Sequence, residues 1–172
     1  MMKKILYLGV GISGSGKSTW IKQRVAQNGG AYVSRDEIRY ALLQPGDSYF
    51  DREKEVVATF CAVAQDNINS NTNKDIYLDA THLSPKSRRK ILSRLNLQQV
   101  EKIILLYFNI PVDEAIKRNA QRTGMACVAN EVIINMSKAL FIDFDHPENK
   151  INEIWEINKE GVITNVKNFS NI

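Results

Sequence analysis

Residues 11–19 read GISGSGKST, and they follow directly on an apolar run, Ile5–Val10. The stretch holds three glycines, one lysine and four residues with a hydroxyl group. The segment after it, Lys17–Gln27, has the pattern of a helix. A buried strand, a glycine-rich turn and a helix in this order are typical of α/β proteins. The stretch therefore indicates an α/β fold, and its composition bears on what the turn binds.

The spacing Gly11-x4-Gly16-Lys17-Ser18 is the P-loop pattern, G-x-x-x-x-G-K-[ST]. Glycines let successive backbone N–H groups turn inward around phosphate oxygens without Cβ clashes. The helix that begins near Lys17 directs its free N–H groups and the positive end of its dipole at the same anion. The sequence therefore predicts a nucleotide-phosphate site made by Gly11, Ser13, Gly14, Ser15, Gly16, Lys17, Ser18 and Thr19.

Two residues of this loop carry more specific expectations. Lys17 is expected to contact the β- and γ-phosphates of ATP or another NTP, and the Ser18 hydroxyl to ligate Mg²⁺. A guanine-specific NKxD motif is missing, because residues 73–76 read NKDI and isoleucine stands where the aspartate is required. A small chain without large insertions favours a kinase over a GTPase or a motor ATPase.

The bulk properties indicate one domain, 1–172, with a single core. The basic start and apolar run of the first twelve residues resemble a signal peptide, but the run is short and has no cleavage site, so it is interpreted as a buried strand. No segment approaches the roughly 20 apolar residues of a membrane span. Two cysteines without metal spacing favour a reduced compartment. We therefore expect a cytoplasmic protein with no membrane partner.

Apolar periodicity places the remaining elements. Strands are predicted at Ile5–Val10, Ala31–Val33, Ile76–Leu78 and Ile103–Phe108, and helices at Lys17–Gln27, Asp36–Leu43, Arg52–Ile68, Lys86–Leu95, Val112–Arg122 and Glu131–Phe141. A polar surface loop is expected at 67–75, a lid at about 118–135 and a β-rich tail at 150–172, with a turn at NKEG. The alternation predicts a mostly parallel central sheet.

Asp36 and Arg39 are expected to return to the phosphate face. The first helix travels ~16 Å away from the loop at 1.5 Å per residue, and the next strand returns by a similar length. Asp36 is thus placed to accept a proton from an attacking hydroxyl, or to be the N-cap of the next helix. Arg39 could present a bidentate guanidinium to an acceptor, or be a surface arginine.

Asp79 and Thr81 follow the third strand, so they are expected on the same face. Asp79 could act on Mg²⁺ through water, orient an arginine or the acceptor, or be a plain turn aspartate.

Arg118 and Arg122 lie four apart on a predicted helix that ends at Gly124. At the base of a closing loop they would neutralise charge on transferring phosphates, and otherwise they form a solvated face.

The net charge of +4 is too small to argue for nucleic-acid binding, but residues 86–94, KSRRKILSR, carry five positive charges and no acid. Such a run is either a solvated helix face or part of a surface for a polyanion.

The order of motifs resembles the kinase domain of bacteriophage-type polynucleotide 5′-hydroxyl kinases. The resemblance covers roughly residues 1–142 and rests on GISGSGKSTW, SRDEIR, LDATHLSPKSRR, IPVDEAIKRNAQRTG and ANEVIINMSKAL. It implies a three-layer P-loop kinase fold and nucleic-acid 5′ ends as the substrate.

Residue by residue, the resemblance implies that Asp36 is the general base and Arg39 a ligand of the phosphate next to the acceptor sugar. It also implies that Arg122 is the lid arginine on the donor phosphates, and that Asp79 and Thr81 line the acceptor or lid region.

The chain departs from those enzymes at its C-terminal part. FIDFDHP (141–147) resembles the start of their phosphatase domain, but Pro147 stands where threonine or valine is needed, so we interpret the stretch as a loop. The tail is similar to that of small P-loop kinases, including zeta-toxin-like enzymes that phosphorylate small molecules. Three functions therefore stay open: a polynucleotide 5′-kinase, a small-molecule kinase, and a nucleotide-binding module without transfer chemistry.

Overall fold

A computed structural model describes residues 3–72, 74–148 and 150–169. Within these ranges one sheet contains six strands: β1 (Lys4–Val10), β2 (Ala31–Ser34), β3 (Ile76–Asp79), β4 (Val100–Phe108), β5 (Glu153–Ile157) and β6 (Ile163–Asn168). Three parts of the predictions lie outside the described residues: the first two residues of the basic start, Asn73 of the polar loop, and 170–172 of the tail.

The strand order is β2-β3-β1-β4-β5-β6, with β1 next to the middle of the sheet. The strands β1 to β5 run parallel, and β6 pairs antiparallel with β5. Leu6, Leu8 and Val10 of β1 are fully buried, because helices cover both faces of a parallel sheet. The predicted mostly parallel α/β fold is therefore confirmed.

Helices form the two outer layers. They are α1 (Lys17–Asn28), α2 (Arg35–Leu42), α3 (Glu53–Asn69), α4 (Pro85–Leu92), α5 (Val112–Asn119) and α6 (Asn130–Ala139). On one face, Phe60 of α3 and Ile91 of α4 belong to the core. On the other face, Ile21 of α1, Ala115 of α5 and Ile133 of α6 belong to a second core. The sheet thus lies between two helical layers, as the three-layer expectation requires.

Two helices end earlier in the structure than the sequence predicts. The helix predicted to reach Arg122 stops at Asn119, whose buried side-chain amide donates to Val128 O at 2.7 Å and accepts from Val128 N at 3.1 Å. This pair of bonds ties the following loop back onto the helix end. The basic helix predicted to reach Leu95 ends at Leu92, because Arg94 and Leu95 form tighter turns that bury Leu95.

All predicted strands and helices, these two included, agree with the structure to within three residues at either end. The NKEG segment is a turn, in which Asn158 Oδ1 accepts from the N–H groups of Glu160 and Val162. The FIDFDHP stretch is a loop, as interpreted from the sequence. None of the helices in the described ranges has the length and apolar character needed to cross a bilayer.

Lys4, part of the basic start, has a structural role. Its side chain is buried, and Nζ donates to three carbonyl oxygens at the end of α3, those of Asn67 (2.7 Å), Ile68 (2.8 Å) and Ser70 (2.6 Å). A lysine at the C-terminal end of a helix satisfies carbonyl groups that have no partner within the helix. The contact ties β1 to α3.

Candidate active site

The turn between β1 and α1 closes through two glycines in the left-handed region. Gly14 has φ +81° and Gly16 has φ +88°, values that side chains with a Cβ rarely adopt. A Cβ on Gly14 would lie 2.3 Å from the carbonyl oxygen of Ala115 in α5. The loop therefore packs directly against α5. Gly16 precedes α1 without a side-chain cap, so the first N–H groups of the helix are available to an anion.

Lys17 is buried inside this loop. Its Nζ donates to the carbonyl oxygens of Gly11 at 2.9 Å and Ile12 at 3.0 Å. Burial lowers the pKa of Lys17 to about 8, although the charge of Asp79 acts in the opposite direction. An anion bound in the loop would favour the protonated amine, so phosphate binding and protonation of Lys17 are coupled.

Ser18 and Asp79 are in direct contact across the end of the sheet. Asp79 Oδ2 accepts from Ser18 Oγ at 2.5 Å and from the Tyr32 hydroxyl at 2.5 Å. Burial, and then the negative charge of Asp79, raises the pKa of Tyr32, which keeps this phenol a neutral donor. Asp79 is itself buried as the last residue of β3, and these two hydroxyl groups hold its carboxylate inside the site.

Asp36 lies in the first turn of α2, but it is not the N-cap. Ser34 has that role, since its Oγ accepts from Glu37 N at 3.1 Å. The Asp36 side chain is 57% exposed. Its Oδ1 accepts from Arg39 Nη1 at 2.5 Å and from the Tyr49 hydroxyl at 2.7 Å. Two donors on one oxygen fix the orientation of the carboxylate at the edge of the cleft.

Arg39 is not a surface arginine, because its side chain is only 4% exposed. Besides Asp36, it donates to the Tyr49 hydroxyl at 2.7 Å and to Glu53 Oε2 at 2.7 Å. Its guanidinium also lies over the Tyr49 ring, 4.2 Å from the centroid. The contact with an acceptor phosphate stays a prediction, since Nη1 and Nη2 already donate within the protein and Nε is buried.

Glu53, the first residue of α3, bridges two arginines of α2. It accepts from Arg39 through Oε2 and from Arg35 through Oε1. Burial alone would raise the pKa of Glu53, but the hydrogen bond from Arg39 and the charge of Arg35 keep it below its ordinary value. This bridge holds α2 and α3 together beside Asp36.

Thr81 and His82 connect the end of β3 to the P-loop. The carbonyl of Thr81 accepts from Gly11 N at 3.1 Å. His82 has φ +43°, and its buried Nδ1 donates to the carbonyl of Gly9 at 2.8 Å. Burial lowers the pKa of His82 to about 4, so the ring is neutral at physiological pH. The two residues hold the loop in register with Asp79.

Arg118 and Arg122 do not share a helix face, because α5 ends between them. Arg118 Nη2 donates to the carbonyl of Lys159 at 2.7 Å, and Nε donates to Glu114 at 3.0 Å. Arg122 lies in the following loop. Both nevertheless line a second cleft of about 400 Å³ beyond the P-loop.

One wall of this second cleft is the 158–161 turn, which the sequence did not connect with a site. Trp20 Nε1 of α1 donates to the carbonyl of Gly161 at 3.0 Å and thereby attaches the turn to the P-loop helix. Gly14, Gly16 and Thr19 also line this cleft.

The basic run 86–94 is less basic at the surface than the sequence suggests. Arg88 is fully buried, where it pairs with Glu148 and donates to the carbonyl oxygens of His82 and Phe141, each at 2.8 Å. Lys86, Arg89, Lys90 and Arg94 are exposed.

The central cleft, of about 220 Å³, brings most of the predicted residues together. Its walls include Ser13, Ser15, Gly16, Lys17, Ser18, Asp36, Arg39, Asp79, Thr81 and Arg122. Gly14, Thr19 and Arg118 line the second cleft instead, and Gly11 is outside the described walls of both clefts, where its carbonyl accepts from Lys17 Nζ. Sequence reasoning missed Tyr32, Tyr49, Phe50 and Glu53. No motif marks these residues, although Tyr49 and Phe50 in a polar loop are an unusual aromatic pair.

The ligand set suits a hard divalent cation only in part. Ser18 Oγ and the Asp79 carboxylate are adjacent oxygen donors of the kind that Mg²⁺ prefers. Among the described residues, no group of three or more His, Cys, Asp or Glu side chains could hold a metal ion. A cation here would therefore need phosphate oxygens and water as its other ligands, as is usual for Mg²⁺ with a nucleotide.

Comparisons with known proteins agree with this geometry. Residues 6–140 match a family model described as an AAA domain. A sugar kinase from Janibacter sp. HTCC2649 is similar in structure, with 14% identity, a TM-score of 0.62 and coverage of 93% of this chain and 87% of that one. A gluconokinase from Sinorhizobium meliloti 1021 has 15% identity, a TM-score of 0.55 and coverage of 91% and 82%. A fungal RNA kinase has 13% identity, a TM-score of 0.66 and coverage of 100% and 80%. These likenesses show the fold of P-loop kinases.

Proposed function

The chain belongs to the AAA domain family, and we propose that it is a kinase that transfers the γ-phosphoryl group of ATP, or of another NTP, to the 5′-hydroxyl of a DNA or RNA end. The observation that carries the proposal is the position of Asp36. Its exposed, oriented carboxylate lines the same cleft as Lys17 and Ser18 of the P-loop. A carboxylate beside the donor phosphates is what phosphoryl transfer to an alcohol requires.

In the proposed reaction, Asp36 accepts the proton of the acceptor hydroxyl while the hydroxyl oxygen attacks the γ-phosphorus. The bond between that phosphorus and the oxygen bridging to the β-phosphate breaks, and ADP leaves with the electron pair. Arg39 and Tyr49 both donate to Oδ1 of Asp36, so Oδ2 is the oxygen offered to the acceptor. Lys17 and Arg122 supply positive charge to the phosphoryl group in transfer.

A magnesium ion belongs to this proposal. Ser18 and Asp79 would hold it, and it would neutralise charge on the β- and γ-phosphates. The donor base would enter the second cleft, whose lining includes Thr19, Arg118 and the 158–161 turn.

A polynucleotide acceptor is favoured by three features. The motif order resembles phage-type polynucleotide 5′-kinases, and one similar structure is that of a fungal RNA kinase. The cleft is open where Asp36 is exposed, so a chain can approach it. Four exposed cations on and just after α4 provide positive charge for a phosphate backbone.

A small-molecule hydroxyl is the second candidate acceptor. Two similar structures are those of a sugar kinase and a gluconokinase, and they indicate which small molecules to test. Transfer of label from ATP to 5′-hydroxyl oligonucleotides, next to a panel of sugars, gluconate and nucleosides, separates the two. The proposal is supported if the oligonucleotide is labelled and the amount of label transferred to it falls as the salt concentration rises. Label only on a small molecule would replace it, and label on no acceptor would favour a binding module.

Replacing Asp36 by asparagine tests the chemistry itself. Asp36→Asn keeps the shape of the side chain but removes the base, so oligonucleotide phosphorylation should fall about 10²- to 10⁴-fold. The dissociation constant for ATP should stay the same.

The matched control is Glu37→Gln, the neighbouring acid on α2, which is exposed and paired with Lys22. It should leave turnover unchanged. Undiminished turnover of Asp36→Asn would contradict the assignment of the base.

A further inference from the structure

We propose that the ring of Phe50 is a stacking platform for the base of the acceptor's terminal nucleoside. This inference rests on the proposed function and specifies how the acceptor end is held.

The Phe50 ring is 69% exposed, although it is large and apolar. It lines the same cleft as Asp36, so its exposed surface belongs to the site. The Phe50 and Tyr49 rings meet edge to face, with centroids 4.7 Å apart and planes at 84°. An edge-to-face contact fixes one ring against the other while a face stays open to a further ring.

Tyr49 connects this platform to the proposed base. Its hydroxyl donates to Asp36 Oδ1 at 2.7 Å, and the guanidinium of Arg39 lies over its ring. Burial, and then the contact with Asp36, raises the pKa of Tyr49, so the phenol stays neutral and keeps donating. The Phe50 ring is thus two contacts away from the carboxylate. In a nucleoside, one sugar separates the 5′-oxygen from the base. Asp36 would therefore contact the 5′-oxygen while Phe50 contacts the base.

The charges around Phe50 favour a base over a phosphate. Beside it lies a shallow cleft lined by the acids Asp47, Asp51, Glu53 and Glu55 and by the cations Arg52 and Lys54, and Arg52 pairs with Asp47 and Glu55. Acids outnumber cations in this lining, so a phosphate is disfavoured there, whereas an uncharged base stacks without a charged partner.

A second group of cations lies toward α4. A neighbouring cleft shares Arg35 and Thr81 with the central one and reaches Lys90 on α4. The base therefore turns toward Phe50 and the backbone phosphates turn toward α4.

The test compares matched 5′-hydroxyl oligonucleotides that differ only at the terminal residue, which carries a base or an abasic tetrahydrofuran. Stacking on an aromatic side chain raises kcat/KM of the wild type for the base-bearing end by about 5- to 100-fold, for purines and pyrimidines alike. Phe50→Ala should lose this preference, and Phe50→Trp, which restores a ring, should keep it.

Phe141→Ala is the matched control, since Phe141 is 56% exposed but does not line the described walls of the central cleft. It should keep the wild-type preference. Equal kcat/KM for both ends in the wild type, or a full preference in Phe50→Ala, overturns the platform and leaves the proposed function standing. If the wild type labels neither end, the proposed function fails, and the platform fails with it.

Discussion

The two walls of the central cleft that we assign to the phosphoryl donor and to the acceptor are built in different ways. Residues 11–19 form the donor wall with backbone N–H groups, two left-handed glycines and a buried lysine that bonds to its own loop. The acceptor wall, 34–53, consists of side chains that hold one another: Asp36, Arg39, Tyr49 and Glu53.

The difference shows how each wall is specified. Backbone recognition of phosphate needs glycines at fixed positions, so the sequences that form such a wall in different proteins resemble one another. A network of side chains can be assembled from many residue types at many spacings. Substitutions that damage one wall and spare the other therefore measure how independent the two walls are.

The largest effect is expected at Gly14. Alanine there must adopt φ near +81° and place its Cβ 2.3 Å from a backbone oxygen of α5. We expect Gly14→Ala to lower the free energy of unfolding by about 3 kcal/mol, from left-handed strain together with overpacking. Urea titration of the purified variant measures it.

Gly46 in the acceptor wall is the control for backbone strain alone. It has φ +91°, and a Cβ there would meet nothing within 4 Å. Gly46→Ala should cost only about 1 kcal/mol. Equal losses at the two glycines would show that the contact between the P-loop and α5 contributes nothing.

The next largest loss of stability is expected for Glu53, in the acceptor wall. Glu53→Gln removes the charge shared by Arg35 and Arg39, of which Arg39 is buried. We expect about 2 kcal/mol less stability, below the range for fully buried pairs because the Glu53 side chain is 31% exposed. Turnover should fall with it, while the dissociation constant for ATP stays constant.

The neighbouring variant Glu55→Gln breaks only an exposed pair with Arg52 and should change stability by less than about 0.5 kcal/mol. A weaker affinity of Glu53→Gln for ATP would mean that the two walls are coupled.

The smallest effect is expected in the pH dependence of ATP binding, through Lys17 of the donor wall. Burial lowers the pKa of Lys17 to about 8 in the free protein, and bound phosphates favour its protonated form. Affinity for ATP should be constant below pH 8. Above it, affinity should fall up to tenfold per pH unit, because the free protein has lost the proton that the complex needs.

Titration of ATP binding between pH 7 and pH 9.5 measures this slope. Lys17→Arg, which keeps its charge throughout, should bind with no such slope. A wild-type affinity that stays flat through pH 9 would show that Lys17 does not contact the phosphates.

The sequence predicted most of the fold because each parallel strand is a buried apolar run and each helix has its own periodicity. It erred at the end of α5, where Asn119 bonds to Val128, a contact that no local pattern reveals. It also overestimated the basic surface, since the partner of Arg88 is Glu148, sixty residues away. In the site, Lys17, Ser18 and Asp79 could be anticipated from their place after β1 and β3. Tyr49 and Glu53 could not, because their contacts depend on how the 43–52 loop folds.

The acceptor wall also has a consequence for how this protein could change in evolution. Asp36, Arg39, Tyr49, Phe50 and Glu53 all belong to one uninterrupted stretch of chain, α2 with the loop after it and the first residue of α3. Under the proposed function, exchange of that single stretch, by recombination or in the laboratory, would alter what is phosphorylated and leave the source of the phosphoryl group untouched. A protein divided in this way can acquire a new substrate in one genetic step.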